Sequence, residues 1–146
     1  MHSLDNFLSD TEKKAIVQAI ETAEKNTSGE VRVYIERTSE KPTLERAKEV
    51  FLSLDMNKTR LHNGVLFYVR VNDKQFAILG DSGIDQVVPS DFWEEAKHLV
   101  LSHFFKDEVS QGLIEGILLV GKQLKSYFPY QDYDENELSD EIHFGD

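Results

Sequence analysis

The chain contains no cysteine, which excludes disulfide scaffolds, thiolate zinc sites and thiol catalysis together. Basic residues are scarce: 16 Lys and Arg stand against 27 Asp and Glu, for a net charge of -11. That field repels phosphate backbones and anionic lipids and attracts cations, so nucleic acid is not an expected partner. Long apolar runs are missing as well. The longest late in the chain, Leu113 to Val120, is interrupted by Glu115 and Gly116 and falls far below the ~20 residues that cross a bilayer, so no membrane span is expected. Met1 to Asn6 has neither the basic head nor the apolar core of a secretory signal, and the expected location is the cytoplasm.

What is present suffices for one domain. A chain of 146 residues buries roughly two thirds of the surface its unfolded form exposes. Ser9 followed by Glu12 has the spacing of a capping box and predicts a helix from Asp10. Ile16, Ala19, Ile20 and Ala23 recur at helical spacing until Asn26-Thr27-Ser28-Gly29 ends the pattern. Val31 to Glu36 alternates and is rich in β-branched residues, which predicts a strand covered mainly on one face. Pro42-Thr43 opens a helix with Ala47, Val50, Phe51 and Leu54 on one side, long enough to return the chain for a parallel strand. Gly64 to Val71 is almost continuously apolar, as a strand buried on both faces should be. Asn72-Asp73-Lys74 turns it, and Gln75 to Leu79 follows so closely that it must run antiparallel.

Phe92, Ala96, Leu99, Val100 and His103 predict a further helix, and Leu113, Ile117, Val120, Leu124 and Tyr127 a last long one ending before Pro129. The fold class expected is α/β: a three-layer α/β/α sandwich with a central, mixed, mostly parallel sheet, one antiparallel hairpin strand and four to five helices. Residues 1–128 form this domain, and 129–146, rich in Asp and Glu with no Lys or Arg, read as an acidic tail with little fold of its own.

Four local signals bear on chemistry. Gly80-Asp81-Ser82-Gly83, with His62 upstream, reads like a trypsin-like nucleophile segment, but such enzymes need two β-barrels that this chain is too short to build. Asp132-x-Asp134-x-Asn136 matches the first ligand positions of an EF-hand loop, yet Glu137 stands where glycine is needed and His143 where the bidentate glutamate should be. The same Asp-x-Asp pair follows a helix rather than the buried strand that aspartyl-phosphate phosphatases use. No histidine pair has zinc spacing; His103 is expected to pack on a helix face, and His62 alone leads into a buried strand.

The hairpin carries the strongest geometric inference. If Gln75 to Leu79 runs antiparallel to Val65 to Val71, the loop Gly80 to Asp85 comes back beside Leu61 to Asn63. A parallel Val31 strand brings Gly29-Glu30 to the same edge. Asp81 and Asp85 are the expected metal ligands, with Glu30, His62, Asn63 and Ser82 as contributors on the rim, a hard-oxygen set suited to calcium or magnesium. Gly80 and Gly83 would let a loop carbonyl turn inward toward the ion. The bland alternative is an ordinary turn in which Asp81 and Ser82 satisfy loop amides and Asp85 caps.

In their order these pieces resemble the TPM domain, a family named for a thylakoid lumen protein, a photosystem repair factor and a membrane-modulating protein. The resemblance covers about residues 7–128 and rests on Phe7-Leu8-Ser9, Thr27-Ser28-Gly29-Glu30-Val31, Asn63-Gly64-Val65-Leu66 and Gly80-Asp81-Ser82-Gly83-Ile84-Asp85. Asp134 to Ile142 resembles the ending of small stand-alone bacterial members. The resemblance implies an α/β/α sandwich, divalent-ion binding in some members and acid-phosphatase activity in plant relatives. The chain departs from the family where an acid usually precedes the Asn-Gly pair, since His62 stands there, and the signal or anchor that most relatives carry is not expected here. The expected function is a divalent-cation-binding, non-catalytic module that offers a surface to a protein partner. The alternatives are a metal-dependent phosphatase of phosphomonoesters and an interaction domain working through the acidic tail.

Overall fold

The computed structural model describes residues 4–130 and 141–145. The Asp132-x-Asp134-x-Asn136 signal and most of the acidic tail lie outside the described residues.

Ser9 opens the first helix, α1 (Asp10–Asn26), through the reciprocal box that the spacing predicts: the Glu12 amide donates to the Ser9 hydroxyl at 3.1 Å, and the Ser9 amide to the Glu12 carboxylate at 2.9 Å. The chain then forms β1 (Glu30–Glu36), crosses over through α2 (Thr43–Ser53) and returns as β2 (Gly64–Arg70), parallel to β1. Lys74 adopts a left-handed backbone (φ 53°) in the tight turn to β3 (Gln75–Gly80), which pairs antiparallel with β2. There follow the short α3 (Ser82–Asp85), α4 (Glu94–Phe104), α5 (Val109–Leu124) and a strand of 3 residues, β4 (Ile142–Phe144). The sheet order is β3-β2-β1-β4, one antiparallel and two parallel pairings.

Alternation along the strands sorts side chains between two layers. Val31, Val33 and Ile35 of β1 and Val65, Phe67 and Val69 of β2 meet Ile16, Ile20, Val100, Leu113 and Ile117 of α1, α4 and α5 in the larger core. Leu66, Tyr68 and Ala77 face the other way, onto Ala47, Val50 and Phe51 of α2 and onto Met56. The α/β/α sandwich with a mixed, mostly parallel sheet and five helices is therefore the architecture observed among the described residues. Close packing of α5 depends on missing side chains: a Cβ on Gly116 would lie 2.4 Å from Val100 Cγ2, and one on Gly121 2.8 Å from the Ala23 Cβ.

Three local expectations change. β1 is covered on both faces, not mainly one, because its polar residues reach partners under α2. Glu36 accepts from Arg46 Nε at 2.9 Å and Nη2 at 3.0 Å and from the Tyr68 hydroxyl, while Arg32 Nη1 donates to the Leu54 carbonyl at 3.1 Å. Burial, and then the bond to Glu36, push Tyr68 up to about 12. The last long helix ends at Leu124, earlier than Pro129 suggests, because the following turn is used to pin the loop before β1: Ser28 N and the Thr27 hydroxyl both donate to the Phe128 carbonyl. Finally, the acidic stretch closes on β4, whose Ile142 and Phe144 pack against the larger core. Among the described residues no helix is long and apolar enough to cross a membrane.

Candidate functional site at the rim of the sheet

The antiparallel return of β3 places residue 81 beside residue 64, and the backbone locks the rim there. Asp81 N donates to the Gly64 carbonyl at 3.0 Å, Gly83 N to the His62 carbonyl at 2.9 Å, and Glu30 N to the Asn63 carbonyl at 3.2 Å. The starts of β1, β2 and α3 thus share one edge, with Glu30, His62, Asn63, Asp81, Ser82 and Asp85 along it.

The glycines serve this packing through their size. A Cβ at Gly83 would stand 2.4 Å from the Leu61 carbonyl oxygen and 2.6 Å from that of His62, and one at Gly80 would stand 2.5 Å from the Trp93 ring. Neither takes a positive φ, so the inward-turned carbonyl expected from backbone freedom gives way to close approach. The left-handed residue on the rim is His62 (φ 49°).

Asp81 caps α3. Its Oδ1 accepts from Ser82 N at 2.7 Å, which uses one carboxylate oxygen. Its Oδ2 is sealed from solvent, has no hydrogen-bond partner among the described residues and lies 3.6 Å from His62 Nδ1; the Asp81 side chain is 11% exposed and the His62 ring 56%. Asp85 sits close enough to feel Asp81: burial above all, and then the Asp81 charge, raise its pKa from the ordinary carboxylate value, against a hydrogen bond from Trp93 that lowers it. Two carboxylates therefore repel each other across a partly desolvated corner.

The remaining rim residues are braces. Asn63 is buried; its amide donates to Ser28 Oγ at 3.4 Å and its backbone N–H to Thr59 Oγ1 at 3.3 Å. Glu30 is buried at the first position of β1, and Ser82 gives its amide to Asp81. Trp93 is the participant that sequence reasoning missed. The one tryptophan of the chain covers Gly80, bonds Asp85 and meets Phe92 edge-on at 4.8 Å, and its uniqueness was the only signal available.

Among the described residues no group of three or more His, Asp or Glu side chains gathers tightly enough to hold a metal. The donor set at the rim is two carboxylates, one with an orphaned oxygen, and its chemistry fits a hard cation that completes its shell from backbone oxygen or solvent. His103 lies elsewhere, with Nδ1 3.0 Å from Glu108 and Nε2 2.9 Å from Glu115, where it clips α4 to α5. A groove of about 500 Å³ runs along the outer side of β3 between Leu44 and Phe105; of the rim residues it shares only Trp93.

The family model described as TPM domain matches residues 3–123. No protein of curated function matches the chain. Among solved structures, the BA42 protein from the psychrophilic bacterium Bizionia argentinensis, determined by NMR, is 47% identical over 99% of this chain and 100% of its own, with a TM-score of 0.93. The N-terminal domain of a P. gingivalis protein is similar in fold alone, at 16% identity, TM-score 0.70, and coverage of 86% of this chain and 82% of that one. So is the N-terminal domain of the cg2496 protein from Corynebacterium glutamicum, at 9% identity, TM-score 0.63, and coverage of 93% and 80%.

Proposed function

The chain belongs to the TPM-domain family, and from that premise we propose that its Gly80–Asp85 rim binds a divalent cation, calcium or magnesium, as part of a binding module rather than an enzyme. The observation that carries this reading is the Asp81 carboxylate, whose Oδ2 is sealed from solvent without a hydrogen-bond partner among the described residues, although its other oxygen caps α3. Asp85 supplies the second carboxylate. Its raised pKa reports first the low-dielectric corner and then the nearness of the Asp81 charge, and a dication there relieves the repulsion that the fold otherwise carries.

Asp81 and Asp85 are the ligands in this reading, and Ser82 and a loop carbonyl are the neighbours able to add oxygen. His62 is a poor ligand for a hard ion and sets the rim's outer wall instead. Asn63 and Glu30 hold the rim in register. Ion binding stiffens the loop at one end of the sheet, and that ordered loop is the surface offered to a protein partner. Calorimetric titration of chelator-treated protein with calcium or magnesium tests the proposal: heat of binding in wild type that vanishes in the Asp81→Asn, Asp85→Asn double variant supports it. Equal binding by both proteins moves the site elsewhere, and no binding by wild type removes it.

A further inference from the structure

Among the described residues β4 holds the sheet by one strand only. Its three residues pair with β1, Ile142 opposite Val33, His143 opposite Tyr34 and Phe144 opposite Ile35. Ile142 and Phe144 reach the larger core, with Lys13 of α1 5.6 Å above the Phe144 ring. His143, between them, takes the opposite face, the one on which β1 carries Arg32, Tyr34 and Glu36. There its Nε2 is sealed from solvent and has no hydrogen-bond partner among the described residues.

A neutral imidazole tolerates that position because its two nitrogens share one proton. An imidazolium carries N–H on both, and one would be a buried donor without an acceptor. The charged neighbours sharpen the effect. Arg32 opposes a second positive charge and Glu141, just before β4, favours one; the Glu36–Arg46 pair lies farther along β1, and Lys13 is on the other face. Burial first, and then Arg32, hold His143 below the usual histidine range.

We propose that β4 is a proton-released latch: with His143 neutral it closes the outer edge of β1, and protonation of His143 beside Arg32 undocks the strand and bares that edge. The direction follows from linkage. The docked strand binds its proton less readily than the undocked one, so docking is full above the ordinary histidine value of 6.5 and weakens as pH falls through the lower docked value. A single proton changes the docking equilibrium by at most about tenfold per pH unit. A bared β1 edge presents a row of backbone donors and acceptors able to take another strand.

The test is amide hydrogen exchange on the full chain at about pH 7.5 and about pH 5, corrected for intrinsic rates, in wild type and His143→Gln. The Gly145 amide, which donates to the Ile35 carbonyl at 2.8 Å, reports docking, and β2 amides report global stability. The latch predicts that Gly145 protection in wild type is lost relative to β2 on acidification, and that the variant stays flat. Unchanged relative protection in wild type, or the same loss in both proteins, overturns it. Should His143→Gln fail to dock at all, NMR titration of the wild-type ring decides: ionisation below 6.5 sustains the latch, and ionisation at or above 6.5 refutes it.

Discussion

Replacing Gly83 by alanine asks whether the rim is a rigid unit. Within α3, exchanging glycine for alanine gains about 1 kcal/mol of helix propensity. The added methyl, however, would stand 2.4 Å from the Leu61 carbonyl oxygen and 2.6 Å from that of His62, and backbone atoms cannot rotate aside as a side chain can. Relief requires α3 to back away from the turn before β2. That breaks the 2.9 Å bond from Gly83 N to the His62 carbonyl, worth about 1 kcal/mol, and adds overpacking strain of about 1–3 kcal/mol. The net expectation is a loss of about 1–3 kcal/mol. Equilibrium urea unfolding followed by circular dichroism reads it as a lower midpoint at unchanged slope. A Gly83→Ala protein stabilised by about 1 kcal/mol would refute the reasoning, since α3 would then separate freely from the turn before β2 and the rim would not be a rigid unit.

Asp85→Asn raises the unfolding midpoint of the chelated protein at neutral pH. The folded state holds the Asp85 proton to higher pH than the unfolded chain, whose carboxyl titrates near 3.8. Folding therefore takes up a proton in that window, and stability falls as pH rises through the folded value. The amide escapes this and flattens that part of the pH profile; a lower midpoint for the variant at neutral pH contradicts the desolvation argument. Arg46→Met leaves the Glu36 carboxylate, whose side chain is 7% exposed, with the Tyr68 hydroxyl as its one side-chain partner among the described residues, and is expected to cost about 3 kcal/mol in urea unfolding. Arg46→Lys recovers only part, because an ammonium cannot make the two-pronged contact through Nε and Nη2; full recovery would reduce the pair to a generic charge interaction.

Much of the fold was legible where the determinants are local. The Ser9–Glu12 box fixed the start of α1, the short Asn72-Asp73-Lys74 link left β3 no choice but to run antiparallel, and the length of α2 allowed the parallel return. The neighbourhood of the rim followed from that same hairpin, since register alone brings Asp81 beside Gly64. What stayed hidden depends on partners far along the chain. Arg32 and Glu36 look solvent-facing until α2 and Tyr68 are placed over them. Ile142 and Phe144 form only a brief alternation behind a run of acids, and their value lies in the edge of β1. Trp93 reaches Asp85 and Gly80 only after α4 is docked, and whether Gly80 and Gly83 serve φ or proximity is decided by what stands against them.

Thermal unfolding of the chelated protein, with and without added calcium or magnesium, in wild type and in the Asp81→Asn, Asp85→Asn double variant, tests the central claim most directly. A cation at one hundred times its dissociation constant stabilises the native state by about 2.7 kcal/mol, a shift of several degrees for a domain of this size. The account predicts that shift in wild type and none in the double variant. Equal shifts in the two proteins, or no shift in wild type, would contradict it.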